Sequence, residues 1–148
     1  SIISTMDFIK DQGGTPVMLG VDSKGKIDLK ELEESITKKT ALISVMMANN
    51  EIGTIQDIKE IARIGKKHGV LVHTDAVQAA GKIPIDVKDL GVDYLSLSGH
   101  KIYAPKGIGI LYARRKAPYC PFIHGGHQED GRRAGTLNNL GIMFNHND

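Results

Sequence analysis

Cysteine is almost missing from this chain of 148 residues, which contains only Cys120. One thiol excludes an internal disulfide and fits a reducing compartment, read here as cytoplasmic. Long apolar runs are missing too. None approaches the ~20 residues that a membrane-spanning helix needs, and the opening residues do not read as a signal peptide. Neither sign of charge is in excess: 19 Lys and Arg against 17 Asp and Glu leave a net charge of +2. That is too little to point to nucleic acid or to a membrane surface. The basic clusters Lys66-Lys67 and Arg114-Arg115-Lys116 are expected on solvated faces. No internal repeat or low-complexity segment is visible. What is present is 41% apolar and 24% charged residues, the balance of a globular protein. The length suits one domain or part of a larger one. The first residue is Ser1 rather than Met, as expected of a processed chain or of a fragment.

Strand-like and helix-like patterns alternate. Ser1 to Asp11 reads as a helix with Ile2, Met6 and Ile9 on one face, stopped at Gly13-Gly14. Thr15 to Leu19 reads as a short strand, followed by a turn through Asp22 and Gly25. Asp28, with Glu31 three residues on, is placed to cap a helix striped by Leu29, Leu32 and Ile36. Ala41 to Met47 is a continuous apolar run, expected as a strand buried on both faces. Asp57 and Glu60 open another capped helix, with Ile58, Ile61, Ala62 and Gly65 inward and Gly69 as its stop. Strands follow at Val70 to Val72, Val92 to Leu97 and Ile108 to Ala113, with a one-turn helix between Asp86 and Gly91. The expected fold is α/β, a mostly parallel sheet with helices on both faces. The last two strands lack a helical connection and are expected to pair antiparallel.

Two of these strands end in polar residues of chemical interest. One runs into Ser98-Gly99-His100-Lys101, the other into His73-Thr74-Asp75. Carboxyl ends of parallel strands share the crevice in which open α/β sheets bind ligands. Ser98, Gly99 and His100 offer a hydroxyl, a backbone N–H expected to be open, and an imidazole, all suited to a phosphate. A lysine amine, a carboxylate and phosphate donors are what pyridoxal phosphate needs: an amine for its aldehyde, and an acid beside its ring nitrogen. Gln78 adds a donor for the ring oxygen. On spacing alone, a generic α/β domain with polar strand ends is the favoured reading.

Four stretches in order narrow the choice: Asn49-Asn50-Glu51-Ile52-Gly53, His73-Thr74-Asp75-Ala76-Val77-Gln78, Ser98-Gly99-His100-Lys101-Ile102-Tyr103 and Arg133-Ala134-Gly135-Thr136. Together they resemble the cysteine desulfurases, pyridoxal phosphate enzymes of the class-V aminotransferase group and the aspartate aminotransferase fold, close to selenocysteine lyases. The resemblance runs from Ser1 to about Gly141. It implies that residues 1–148 are part of the large domain of a fold-type I enzyme, without its N-terminal part and its C-terminal small domain. It implies that Lys101 bonds to the cofactor and moves the α-proton, that Asp75 pairs with the ring nitrogen and that Gln78 bonds the ring oxygen. Asn50 is implied at the ring oxygen or the substrate carboxylate. Ser98, Gly99 and His100 are implied at the phosphate, and Thr136 at the phosphate of a partner subunit in a homodimer. The implied substrate is L-cysteine. Its sulfur passes to a catalytic cysteine as a persulfide for an iron–sulfur scaffold or other acceptor protein, and alanine leaves.

The same resemblance expects a Gly/Thr-rich phosphate loop and a ring-stacking histidine before Ser1. It expects the sulfur-accepting cysteine and a carboxylate-binding arginine after Asp148, so that the chain alone is inactive. Two other readings stay open. One keeps the cofactor in a selenocysteine lyase or related aminotransferase; the other is a non-catalytic remnant that binds cofactor or a partner. Several residues carry plainer expectations. His73 reads as a buried strand-end histidine with its hydrogen bond met, Cys120 as a semi-buried structural thiol, and Arg132 and Arg133 as surface or interface charges. His124 and His127 lack an apparent third metal ligand.

Overall fold

A computed structural model describes residues 2–143. Ser1 and residues 144–148 lie outside the described residues. The chain divides into two compact units, Ser1–Lys39 and Thr40–Asp148. In the first, helix α1 (Ile2–Asp11) ends as expected: the N–H groups of Gly13 and Gly14 donate to Lys10 and Ile9 carbonyls, with Gly13 at φ 84°. Helix α2 (Leu29–Ser35) starts at Asp28, whose carboxylate accepts from the N–H groups of Lys30 and Glu31. The strand expected at Thr15 to Leu19 is not formed. Apolar alternation makes a strand only where another strand supplies the ladder, and this run pairs with none among the described residues.

The second unit is built on four strands: β1 (Leu42–Met46), β2 (Leu71–Asp75), β3 (Tyr94–Ser98) and β4 (Gly109–Ala113). They lie in that order, with β1, β2 and β3 parallel and β4 antiparallel to β3. The antiparallel last pair is therefore as the sequence led us to expect. β1 differs from its expectation. It lies at the edge of the sheet and leaves Leu42 half exposed, so it is not buried on both faces.

Helix α3 (Ile58–His68) packs on β2. The Asp57 carboxylate accepts from Glu60 N–H at its start, and Gly69 closes it in the left-handed conformation at φ 69°. Gly65 is where helix and strand touch: a Cβ there would lie 2.4 Å from Val72 Cγ2. Ile61, Val72, Val92 and Leu95 are fully buried, each worth about 1.5–3 kcal/mol relative to exposure. Thr74 is fully buried among them and satisfies its hydroxyl by donating to the Val45 carbonyl, 2.9 Å away. Val72 and Thr74 thus face α3. By alternation, Leu71, His73 and Asp75 take the opposite face of β2.

Asp93 ties the sheet together at the end away from Lys101. It is buried and accepts from Val72 N–H at 2.8 Å and from the Arg114 guanidinium at 2.7 and 2.6 Å. One carboxylate thereby joins β2 to the residues that precede β3 and follow β4. Asp93→Ala is expected to destabilise the protein by about 2–3 kcal/mol, since it strands a buried N–H and an arginine that solvent only partly compensates. A fall in urea midpoint at unchanged slope is the expected result. The Lys59–Asp89 pair joining α3 to α4 (Val87–Leu90) is equally short, 2.5 Å, but exposed, and contributes little.

Candidate active site

The carboxyl ends of β1, β2 and β3 fall in register. Met46 pairs with Asp75, and Asp75 with Ser96. Each strand then breaks into a loop that carries candidate residues. After β2, a tight turn follows in which the Ala79 and Ala80 N–H groups both donate to the Ala76 carbonyl. Asp75 Oδ1 accepts from Val77 N–H at 3.0 Å, which fixes its carboxylate at the mouth of that turn. Its only other described electrostatic partner is His73, and no cation pairs with it among the described residues. Gln78, half-buried on the turn, accepts from Lys82 Nζ at 3.2 Å through Oε1 and keeps its amide N–H₂ as a donor.

After β3, one 3₁₀ turn, Gly99–Lys101, carries the lysine. Ser98 Oγ and His100 Nδ1 share a hydrogen bond of 2.8 Å across it. Gly99 corrects an expectation. Its N–H is not open but donates to the Ile108 carbonyl at 3.1 Å, and Ala104 N–H donates back to its own carbonyl at 3.0 Å. The glycine is needed for close packing instead, because a Cβ would lie 2.5 Å from Ile108 Cγ2. Lys101 itself is exposed, and its amine has no hydrogen bond or ion pair among the described residues. Tyr103, two residues on, sits fully exposed in the left-handed region at φ 66°.

Asn50 is exposed at the tip of the loop after β1. Its neighbour Asn49 builds that loop: the Asn49 side chain accepts from the N–H groups of Glu51 and Ile52, and Ala48 bridges Ile55. Thr136 is exposed and makes no described contact with the other candidates. Arg133 holds its loop by donating to the Ala134 and Gly135 carbonyls, a bracing role that no sequence pattern announced. Cys120 also departs from expectation. It is exposed rather than semi-buried, because Pro118 and Pro121 keep its loop off the sheet's hydrogen-bond ladder. Among the described residues, no group of three potential metal ligands gathers around His124, His127 or elsewhere.

Sequence reading missed one feature of the site. His73 is half-buried, and both ring nitrogens are bonded: Nδ1 to Ser44 Oγ at 2.8 Å and Nε2 to Ser96 Oγ at 2.9 Å. Its expected hydrogen bond is therefore met twice, by residues of two neighbouring strands. Burial lowers its pKa below the ordinary 6.5, against an opposing pull from the Asp75 carboxylate. Ser44 is the register partner of His73, whereas Ser96 pairs with Asp75 and reaches the ring diagonally, so the available signal was only a polar residue within each of three strands.

The donor set fits pyridoxal phosphate. It offers an amine without a described partner, a carboxylate without a described cation, and a hydroxyl–imidazole pair at one strand end. Two clefts, about 260 Å³ beside Arg114 and Tyr119 and about 390 Å³ between α3 and α4, contain none of these residues.

Comparison with known proteins places the chain in a family. The class-V aminotransferase family model matches residues 1–146. The chain is similar to the cysteine desulfurase NifS of Azotobacter vinelandii, with 48% identity over 143 residues, 97% of this chain and 36% of the relative. It is likewise similar to the cysteine desulfurase IscS of Clostridium botulinum, with 47% identity over 143 residues and the same coverage of each chain. Among solved structures, a NifS-like protein superposes with a TM-score of 0.92 at 48% identity, covering 95% of this chain and 39% of the other. A protein described as SspA in complex with cysteine superposes with a TM-score of 0.90 at 41% identity, covering 98% and 44%. The chain therefore spans little more than a third of the curated relatives it matches. Among the described residues no helix is long and apolar enough to cross a membrane.

Proposed function

The chain belongs to the class-V aminotransferase family, and on that footing we propose that it supplies the lysine-bearing part of a pyridoxal phosphate-dependent cysteine desulfurase. The observation that carries this reading is the Lys101 amine following β3, without a partner among the described residues, beside a strand that ends on the Asp75 carboxylate. The names of the relatives, and the neighbour described with cysteine, support L-cysteine as the substrate.

When bound, pyridoxal phosphate supplies the electron sink that makes the substrate's Cα–H and Cβ–S bonds breakable. Lys101 Nζ would hold the cofactor and, once released, move the α-proton. Asp75 would hold a proton on the ring nitrogen through opposite charge at contact distance. The Gln78 amide would donate to the ring oxygen, and Asn50 to that oxygen or to the substrate carboxylate. Ser98 and His100 would bind the phosphate, with Gly99 contributing the tight turn that aims them. Thr136 would reach the phosphate of the partner subunit in a homodimer. Residues 1–148 would then be the central part of the large domain. The thiol that accepts sulfur would lie outside this chain and pass it to an iron–sulfur scaffold or similar acceptor in a reducing cytoplasm.

The test is sulfide and alanine release by the full-length protein given L-cysteine, cofactor and a reductant. Equal amounts of the two products, unchanged by Cys120→Ser, are expected. Amino transfer to a keto acid without sulfide would overturn the reading.

A further inference from the structure

We propose that His73 is a positioning residue for Asp75: the Ser44–His73–Ser96 row bridges three strands as an uncharged layer, leaving the Asp75 carboxylate to a cationic ring nitrogen. The proposal rests on the cofactor reading above.

The geometry is that of a wired imidazole. A hydroxyl can donate or accept, so the two serines, at 2.8 and 2.9 Å, satisfy both nitrogens of a neutral ring with no charged partner. His73 and Asp75 lie two residues apart on the same face of β2, within electrostatic reach of each other. Among the described residues, β1, β3 and β4 present no charged side chain on that face. Its other titratable group is Tyr94, whose hydroxyl donates to the Pro118 carbonyl. His100 and Lys101 follow the end of β3.

A proton on His73 would therefore set a half-buried cation beside the carboxylate that is meant for the ring. Burial, the larger influence on His73, opposes that proton. The sign follows from linkage. If a cationic ring next to Asp75 lowers the His73 pKa, protonating His73 weakens cofactor binding by the same factor. Affinity should then hold near neutral pH and fall as pH drops through the lowered His73 pKa.

The experiment titrates His73 by NMR in the full-length protein, without and with pyridoxal phosphate, alongside Asp75→Asn. Loading the cofactor should lower the His73 pKa. Asp75→Asn should lower it in the free protein, because the carboxylate holds it up. Between about pH 7.5 and pH 5.5 the wild type should lose roughly tenfold more cofactor affinity than His73→Gln, which can bond both serines but cannot take a charge. A His73 titration that neither change moves would overturn the proposal, as would a His73→Gln protein with the wild-type pH profile. Should His73→Gln fail to fold, the wild-type titration decides alone. A cofactor that binds without moving His73 overturns this proposal only, whereas a wild type that binds none overturns the cofactor reading as well.

Discussion

Lys101→Ala in the full-length protein should lower kcat by on the order of 10⁴-fold while leaving stability within about 0.5 kcal/mol of wild type. The two halves of that expectation have one cause. The side chain is exposed and bonds to nothing among the described residues, so the fold loses no contact when it is removed. On the proposed role, the chemistry would lose its nucleophilic amine and the base that moves the α-proton together. Added methylamine should restore part of the activity, because it returns an amine without returning the chain. Lys106→Ala, altering an exposed residue beyond the 3₁₀ turn, should cost little. Turnover by Lys101→Ala near the wild-type level would contradict the assignment.

The second large effect is expected at Asp75. Asparagine keeps the Oδ1 acceptor that receives Val77 N–H and keeps the side chain's shape, so the turn after β2 survives. It removes the negative charge. Without that charge the ring nitrogen has no reason to stay protonated, and a neutral ring is a poor electron sink. We expect kcat to fall about 10²–10³-fold, the usual cost of removing one preorganised electrostatic partner. Cofactor affinity should weaken as well, and Asp75→Glu should recover neither fully, because the register with Met46 and Ser96 fixes how far the carboxylate can stand off. Normal turnover with Asp75→Asn would exclude the role.

Much of this was legible from residue patterns because the deciding forces are local. Asp57 and Gly69 bound α3 through bonds within one turn, and Asp86 and Gly91 do the same for α4. The lack of a helical pattern between β3 and β4 announced their antiparallel pairing. Non-local facts were not legible. Whether Thr15 to Leu19 forms a strand depends on a partner elsewhere, and so does the exposure of Leu42 at the sheet edge. The Gly99 N–H looked open because Ile108, nine positions along the chain, returns to take it. The serine–histidine row required the register of three strands, which no single stretch encodes. Family membership, by contrast, was readable from four short motifs taken together, even though each motif alone is weak.

Reduction of the loaded protein with borohydride, followed by peptide mapping, tests the central claim most directly. A lysine that carries pyridoxal phosphate through its amine becomes permanently tagged on reduction, independently of any substrate. The tag is expected on Lys101, within the stretch Gly99 to Lys106, and should disappear in Lys101→Ala. A tag on Lys106 or on a lysine outside this chain would contradict it.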